Sequence, residues 1–292
     1  MNIEAAIAAA PYAETDRLSA RVRRVLAKNP SPFTCLGTGT YIVGNGTVAV
    51  IDPGPEEDAH LSAILAATAG ETISHILVTH THKDHSPLAV RLKAKTGADV
   101  VGCAELVLSD DGPRADAGFD PTYAPDRILA DGEAVDGPDW TLTAIHTPGH
   151  TSNHLCFALK EEDALFSGDH IMGWSTTVVS PPDGDMTAYM ESLAKLRKRR
   201  DRIYYPTHGD PVTQPAKLVR GYIVHRRQRE GQILKLLADG PREIGGMVAA
   251  MYAMVSRKLH GAAGRSVLAH LIDLERRGMV EHMGGETWRL AG

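Results

Sequence analysis

Short apolar runs recur along the first 212 residues and predict the strands of a sheet. The runs Gly39–Val43 and Thr47–Ile51 flank Gly44-Asn45-Gly46, an arrangement typical of a β-hairpin. The run Ile76–Val78 contains no polar residue, which indicates a strand that is buried on both faces. Further strands are predicted at Leu18–Leu26, Val100–Val101, Trp140–Ile145, Leu165–Gly168 and Tyr204–Tyr205.

Segments with helical periodicity lie between these runs. Helices are predicted at Glu57–Ala69, Pro87–Lys95 and Met186–Arg200. The last of these has Leu193 and Leu196 on one face, as an amphipathic helix against a sheet requires. Because strands and helices alternate along the chain, the predicted fold class is α/β.

The pattern changes after about residue 212. A long helix is predicted at 214–238, and Asp239-Gly240-Pro241 ends it. Two shorter helices follow at Ile244–Val255 and Ser266–Arg277, and then a β-hairpin around Gly284-Gly285. Helices followed by a terminal hairpin resemble a small winged-helix domain. The chain is therefore predicted to consist of two parts, at 1–212 and 213–292.

Composition is that of an ordinary globular protein. Of the 292 residues, 43% are hydrophobic and 23% are charged, and no apolar run approaches the ~20 residues of a membrane span. The first residues include Glu4 and no basic cluster, unlike a signal peptide. Cys35, Cys103 and Cys156 form no CxxC pair, which favours free thiols in a reducing compartment. We expect a cytoplasmic protein that makes no contact with a membrane.

Histidine and aspartate residues gather where the predicted strands end. The densest group follows Ile76–Val78 and has the spacing HxHxDH. Single His, Asp and His residues close three later strands, each beside a Gly or Pro that lets the backbone turn sharply. The candidate metal ligands are His80, His82, Asp84, His85, His150, Asp169 and His208. This donor set suits zinc first, with iron and manganese as alternatives, and it is too large for one tetrahedral ion and about right for two.

These motifs, in this order, resemble the metallo-β-lactamase superfamily over residues 15–212. The resemblance implies an αββα sandwich that holds two divalent metal ions. The implied ligands of the first metal are His80, His82 and His150. Those implied for the second metal are Asp84, His85 and His208. Asp169 is implied to bridge the two metals, as in the metal site of glyoxalase II.

The resemblance also implies a hydrolase in which a metal-bridging hydroxide is the nucleophile, so that no Ser or Cys nucleophile is needed. Asp84 and Asp169 are the predicted catalytic residues, and Asp84 is also suited to orienting the hydroxide. Asp52 follows the apolar run Val48–Ile51. We expect its carboxylate to accept the second N–H of a ligating imidazole.

Motifs outside the ligand set resemble the lactamase-beta-like group, whose animal members include a mitochondrial endoribonuclease. These motifs are residues 29–34, residues 37–41, residues 181–186 and the C-terminal winged-helix segment. The chain departs from the family at the last ligand, where it has Pro206-Thr207-His208 instead of Pro-Gly-His. An Asp at position 169 is shared with the thioesterase branch, and classical β-lactamases carry a different residue there.

The ligand set leaves the substrate open. A small anionic acyl ester or thioester fits a site in which two metals retain positive charge. Single-stranded RNA is an alternative, because residues 195–229 contain eleven Lys or Arg and two acids, a net charge of +9. A further alternative is a metal-dependent ligand sensor that acts through the winged helix, a segment that could equally be structural or form a homodimer.

Two features near the candidate ligands have weaker signals. Residues 103–126 lack periodicity and are rich in Asp, Gly and Pro, and we interpret them as a loop or short helix that covers the mouth of the site. His146, His154 and His170 stand beside ligand positions. A contact with a ligand or with substrate is one interpretation of them, but we favour histidines of the core or rim.

Overall fold

The computed structural model describes residues 3–106 and 118–292. Most of its strands belong to two sheets. The first sheet contains, in chain order, β1 (Thr15–Arg17), β2 (Val22–Leu26), β3 (Gly39–Val43), β4 (Thr47–Ile51), β5 (Thr72–Val78), β6 (Asp99–Gly102) and β7 (Arg127–Ile128). The second sheet contains β8 (Ala134–Asp136), β9 (Thr141–His146), β10 (Leu155–Leu159), β11 (Ala164–Gly168) and β12 (Ile203–Pro206), in the order β12-β11-β10-β9-β8.

Helices cover the sheets and build the C-terminal part. They are α1 (Ile3–Ala8), α2 (Asp58–Ala67), α3 (Leu88–Thr96), α4 (Met186–Leu196), α5 (Pro215–Ala238), α6 (Ile244–Met251) and α7 (His260–Arg276). Single 3-10 turns occur at Lys160–Glu162 and Arg257–Leu259. A third sheet contains β13 (Arg242–Glu243), β14 (Val280–His282) and β15 (Thr287–Leu290), in the order β13-β15-β14.

The second sheet lies between two apolar cores, because successive side chains of a strand point to opposite faces. In β10, Leu155 and Phe157 belong to the core shared with the first sheet, whereas Cys156 belongs to the core formed with α4 and α5. The two sheets meet directly where the ring of Tyr41 in β3 lies 5.1 Å from that of Phe166 in β11. The layers are therefore helix, sheet, sheet and helix, and the predicted sandwich is confirmed.

The carboxyl ends of the parallel strands determine where the candidate ligands lie. β4, β5 and β6 pair in parallel, as do β11 and β12. Parallel neighbours end at the same edge of a sheet, where the following loops converge. Asp52 follows β4, the HxHxDH group follows β5, Asp169 follows β11, and His208 comes two residues after β12. His150 comes four residues after β9.

Several predicted boundaries are wrong. Leu18–Leu26 is not one strand, because Ser19 accepts hydrogen bonds from two backbone N–H groups and turns the chain between β1 and β2. The helix predicted at Met186–Arg200 ends at Leu196, and the one at Ile244–Val255 ends at Met251. The helix predicted at Ser266–Arg277 begins six residues earlier, at His260. Gly261 and Gly264 lower the helix propensity of that first part, so its sequence does not indicate a helix.

The C-terminal part has its own apolar core, formed by α6, α7, the third sheet and the end of α5. The hairpin predicted around Gly284-Gly285 is confirmed as β14 and β15. Helix α5 contributes Val219 and Tyr222 to the core of the sandwich and Ile233 to the C-terminal core. The division into 1–212 and 213–292 stays a prediction, because this helix belongs to both cores.

Two further sequence predictions, the lid over the site and the absence of a membrane span, can be compared with the described residues. Of the lid predicted at 103–126, residues 107–117 lie outside the described residues. Residues 118–120 of this segment run beside the HxHxDH group, where the N–H of Lys83 donates to the carbonyl of Gly118 and the N–H of Asp120 donates to that of Thr81. In the described part of the chain, no helix combines the length and the apolar character that crossing a bilayer requires.

Candidate metal centre

Three imidazoles converge at the first cluster of donors. His82 Nδ1 lies 3.0 Å from His80 Nε2 and 3.1 Å from His150 Nε2. The other nitrogen of His150 is 2.7 Å from the carbonyl of Val178, so Nδ1 carries the proton and donates it, and Nε2 presents a lone pair. Thr79 Oγ1 donates to Asp52 and lies 3.0 Å from His80 Nδ1, which makes His80 Nε2 a lone-pair nitrogen in the same way.

The second cluster consists of Asp84, His85 and His208, whose ligand atoms lie within 4.8 Å of one another. His208 Nε2 is 3.2 Å from Asp84 Oδ2, and its Nδ1 donates to the carbonyl of Gly37 over 3.1 Å. His85 Nε2 is 3.7 Å from the same Asp84 oxygen. Each imidazole thus directs one nitrogen at the cluster and uses the other to hold its own orientation.

Asp169 lies between the two clusters and directs one oxygen at each. Its Oδ2 is 3.7 Å from His150 Nε2. Its Oδ1 is 3.4 Å from His208 Nε2 and 3.6 Å from His85 Nε2. This is the arrangement that a carboxylate bridging two cations needs. The structure thus brings all seven candidate ligands together at one edge of the sandwich.

A metal pair fits these residues. His85 Nε2 and Asp169 Oδ1 are buried and have no hydrogen-bond partner among the described residues. Buried polar atoms are normally satisfied, so atoms like these indicate a missing partner. At the first cluster, two lone pairs are directed at the nitrogen of His82 from about 3 Å. Nitrogens bound about 2.0–2.1 Å from one tetrahedral zinc lie at a similar separation.

Burial disfavours the charged form of every group in the centre, but neighbouring charges outweigh it at four of them. Although burial raises the pKa of Asp84 and Asp169, the imidazoles of His85 and His208 hold both well below the usual carboxyl range. The same carboxylates raise the pKa of His85 and His208 against the effect of burial. Burial and the surrounding imidazoles instead hold the pKa of His80 well below its ordinary value, so that His80 is neutral.

Asp52 lies behind the centre, where it accepts four hydrogen bonds. His85 Nδ1 is 2.9 Å from its Oδ2. The hydroxyls of Thr79 and Thr207 donate to the same oxygen over 2.8 and 3.0 Å, and the backbone N–H of Thr79 donates to Oδ1 over 2.8 Å. Asp52 is fully buried and has a left-handed backbone, with φ of 47°. The expected contact of Asp52 with a candidate ligand is therefore present, and its effect on a metal stays a prediction.

Two residues outside the candidate ligand list, Thr207 and His154, help to hold the centre. Thr207, treated as a departure from the family pattern, donates to Asp52 and so links β12 to β4. His154, interpreted as a core or rim histidine, is fully buried and its Nε2 accepts the backbone N–H of Asp169 over 3.1 Å. The available signal was local, because Thr79 and Thr207 directly precede His80 and His208 in the sequence.

The basic stretch at 195–229 does not form one exposed track. Arg226 is 4% exposed, and its guanidinium lies 5.2 Å from the ring of Tyr189. Lys195 pairs with Asp131, and Arg199 pairs with Asp201. Periodicity alone could not reveal this, because burial depends on which segments pack against α5. The burial of Arg226 and the ion pairs of Lys195 and Arg199 therefore weaken the case for RNA as the alternative substrate.

Comparisons with known proteins agree with the fold. Residues 34–208 match the family model of the metallo-beta-lactamase superfamily, and residues 244–288 match that of the beta-lactamase associated winged helix domain. A beta-lactamase-like protein 2 homolog from Caenorhabditis elegans is 34% identical, over 95% of this chain and 92% of its own length.

A second relative and a solved structure extend the comparison. An atrochrysone carboxyl ACP thioesterase from Aspergillus fumigatus is 34% identical over 79% of this chain and 69% of its own length. The crystal structure of a beta-lactamase domain protein from Burkholderia ambifaria superposes with a TM-score of 0.79 at 20% identity. It covers 96% of this chain and 94% of that one, so the likeness includes the C-terminal part. On the family match, the two relatives and the clustered His and Asp donors, the chain belongs to the metallo-beta-lactamase superfamily and is a hydrolase with a C-terminal winged-helix domain.

Proposed function

We propose that the protein is a dinuclear metal-dependent thioesterase that hydrolyses an acyl thioester. The observation that carries the proposal is the position of Asp169, whose two oxygens are directed at two separate sets of donors. The first metal would be held by His80, His82 and His150. The second would be held by Asp84, His85 and His208. Zinc is the ion that this nitrogen-rich set suits best.

The bound metals would supply Lewis acidity and a water molecule that ionises near neutral pH. The residues of the chain would orient the water and hold the metal ligands in place. Asp84, the partly exposed carboxylate of the second cluster, would accept a proton from the attacking water. Asp52 and His154 hold His85 and the backbone of Asp169 in place through the hydrogen bonds described above. The named thioesterase relatives support acyl transfer to water as the reaction.

The test is Asp169→Ala, with metal content and turnover measured on the same preparation. We expect wild-type protein to contain about two metals per chain and to hydrolyse members of an acyl-thioester panel, and we expect the variant to lose both properties. Asp99→Ala is the matched control, because Asp99 is an exposed residue at the start of β6. Unchanged hydrolysis in Asp169→Ala would overturn the site. Cleavage of labelled single-stranded RNA without cleavage of any thioester would overturn the substrate class.

A further inference from the structure

The proposed metal centre opens into a cavity of about 600 Å³ that both parts of the chain line. His82 and Asp169 line it from the sandwich, and Tyr252, Leu259 and Ala263 line it from the C-terminal part. A volume of this size is typical of a small-molecule site rather than of a channel for a polymer. The winged-helix part therefore completes the cavity beside the metal centre.

Two arginines of α5 line the same cavity. Arg226 is 4% exposed and donates hydrogen bonds to Ser266 Oγ and to the carbonyl of Thr177, while its Nε has no hydrogen-bond partner among the described residues. Arg229 is half-buried and lies 4.4 Å from the ring of Tyr252. Arg229 donates hydrogen bonds to Gln232, to His225 and to the carbonyl of Met251, and all three are neutral acceptors.

Neither arginine has a carboxylate within ion-pair distance in the described part of the chain. A buried cation normally requires such a partner, because removing it from water costs several kcal/mol. The pKa of the neighbouring His225 is lowered to about 4, by burial and then by Arg226 and Arg229.

The rest of the lining is largely apolar, including Phe33, Met172, Trp174 and Val255. Such walls suit a hydrocarbon chain or ring, and they cannot neutralise the arginines. A ligand that satisfies the whole cavity therefore combines an apolar body with an anionic end. A neutral acyl chain would leave the buried guanidinium as it is, at the cost already described.

We propose that Arg226 and Arg229 bind a carboxylate at the far end of the substrate's acyl group, so that the enzyme selects ω-carboxyacyl thioesters over unsubstituted ones. This inference rests on the thioesterase activity proposed above. Tyr252 positions Arg229 through its ring, which gives the winged-helix part a role in substrate choice.

The test compares matched pairs of N-acetylcysteamine thioesters, from glutaryl to sebacyl, each beside the unsubstituted acyl thioester of the same length. The readout is the ratio of kcat/KM within a pair, so that effects on the shared chemistry cancel. We expect wild-type enzyme to prefer the carboxylated member. We expect Arg229→Gln to lower that ratio about tenfold or more, the scale of one charge-assisted hydrogen bond.

Two variants separate charge from structure. Arg229→Lys keeps the positive charge, so it should keep most of the preference for the carboxylated thioester. It therefore tests the proposal independently of how well Arg229→Gln folds. Arg227→Gln is the matched control, because Arg227 is an exposed neighbour on α5 that does not line the cavity, and it should change neither member of a pair. An unchanged ratio in Arg229→Gln, or no preference in the wild type at any length, would overturn the proposal.

Titration calorimetry on metal-loaded protein distinguishes this proposal from the thioesterase itself. Suberate and octanoate differ only in the distal carboxylate. If no thioester is hydrolysed, the proposed reaction is wrong. The arginine site is still supported if suberate binds about tenfold or more tightly than octanoate and Arg229→Gln removes the difference. Equal binding of the two acids would refute it.

Discussion

Replacing Asp52 by asparagine removes one charge from the centre of a buried network with almost no change in volume. The carboxylate accepts one hydrogen bond at Oδ1, from the Thr79 N–H, and three at Oδ2, from Thr79 Oγ1, Thr207 Oγ1 and His85 Nδ1. An asparagine side chain has one oxygen and one NH2 group, so it cannot accept at both positions. At least one donor of the network must then face another donor.

The magnitude follows from these partners. The less costly orientation keeps the three donors at the oxygen and leaves the Thr79 N–H unsatisfied, which costs about 1–3 kcal/mol. The three remaining hydrogen bonds lose their ionised acceptor and with it about half of their strength. We therefore expect metal-free Asp52→Asn to unfold with a free energy about 2–4 kcal/mol below that of the wild type. We also expect metal affinity to fall about 10- to 100-fold, because His85 loses its anionic acceptor.

Urea unfolding of metal-stripped protein measures the first effect, and competition with a chelator measures the second. Asp58→Asn is the control, because Asp58 is exposed and pairs with Arg91 at the surface. A surface pair is worth about 0–1 kcal/mol, so this variant should behave as wild type in both assays. If Asp52→Asn binds metal as tightly as wild type and is equally stable without metal, the account of the network is wrong.

Three further predictions concern other parts of the fold. Burial lowers the pKa of His60 from 6.5 to about 4, so the unfolded chain binds the extra proton first and stability falls as pH drops from 6.5 towards 4. In this window the unfolding free energy should change by up to about 1.4 kcal/mol per pH unit because of His60, and His60→Gln should remove this dependence. Urea unfolding at several pH values measures it, and an unchanged dependence in the variant would contradict the prediction. A Cβ at Gly149 would lie 2.3 Å from the Cα of Tyr189, so Gly149→Ala should shift the adjacent His150 and reduce the metal content measured by mass spectrometry; full occupancy would contradict this. Phe166→Ala should lower the unfolding free energy by about 3–5 kcal/mol, since Phe166 packs between two tyrosines, and a loss below about 1 kcal/mol would mean that the core refills.

Local patterns were enough for much of the fold. A strand that is followed by candidate metal ligands can be recognised from its own residues, without knowledge of the segments that pack against it. The hairpin at Gly44–Gly46 and the long helix α5 can be recognised in the same way. The boundaries of α4, α6 and α7 were less accurate, because capping and packing decide where a helix ends and propensity contributes little there. The lid expected at 103–126 includes residues 107–117, which lie outside the described residues.

The sequence by itself determined the fold class, the family and the set of candidate ligands, since each depends on residue types and spacing within short segments. Only the tertiary structure decided which oxygen of Asp169 is directed at which cluster, and that Thr207 bonds to Asp52 across 155 positions of sequence. It also showed that Arg226, one of eleven basic residues in the stretch 195–229, is buried and lines a cavity. These properties depend on which distant segments pack together, and the free energy of burying a charge is determined by all of its neighbours at once.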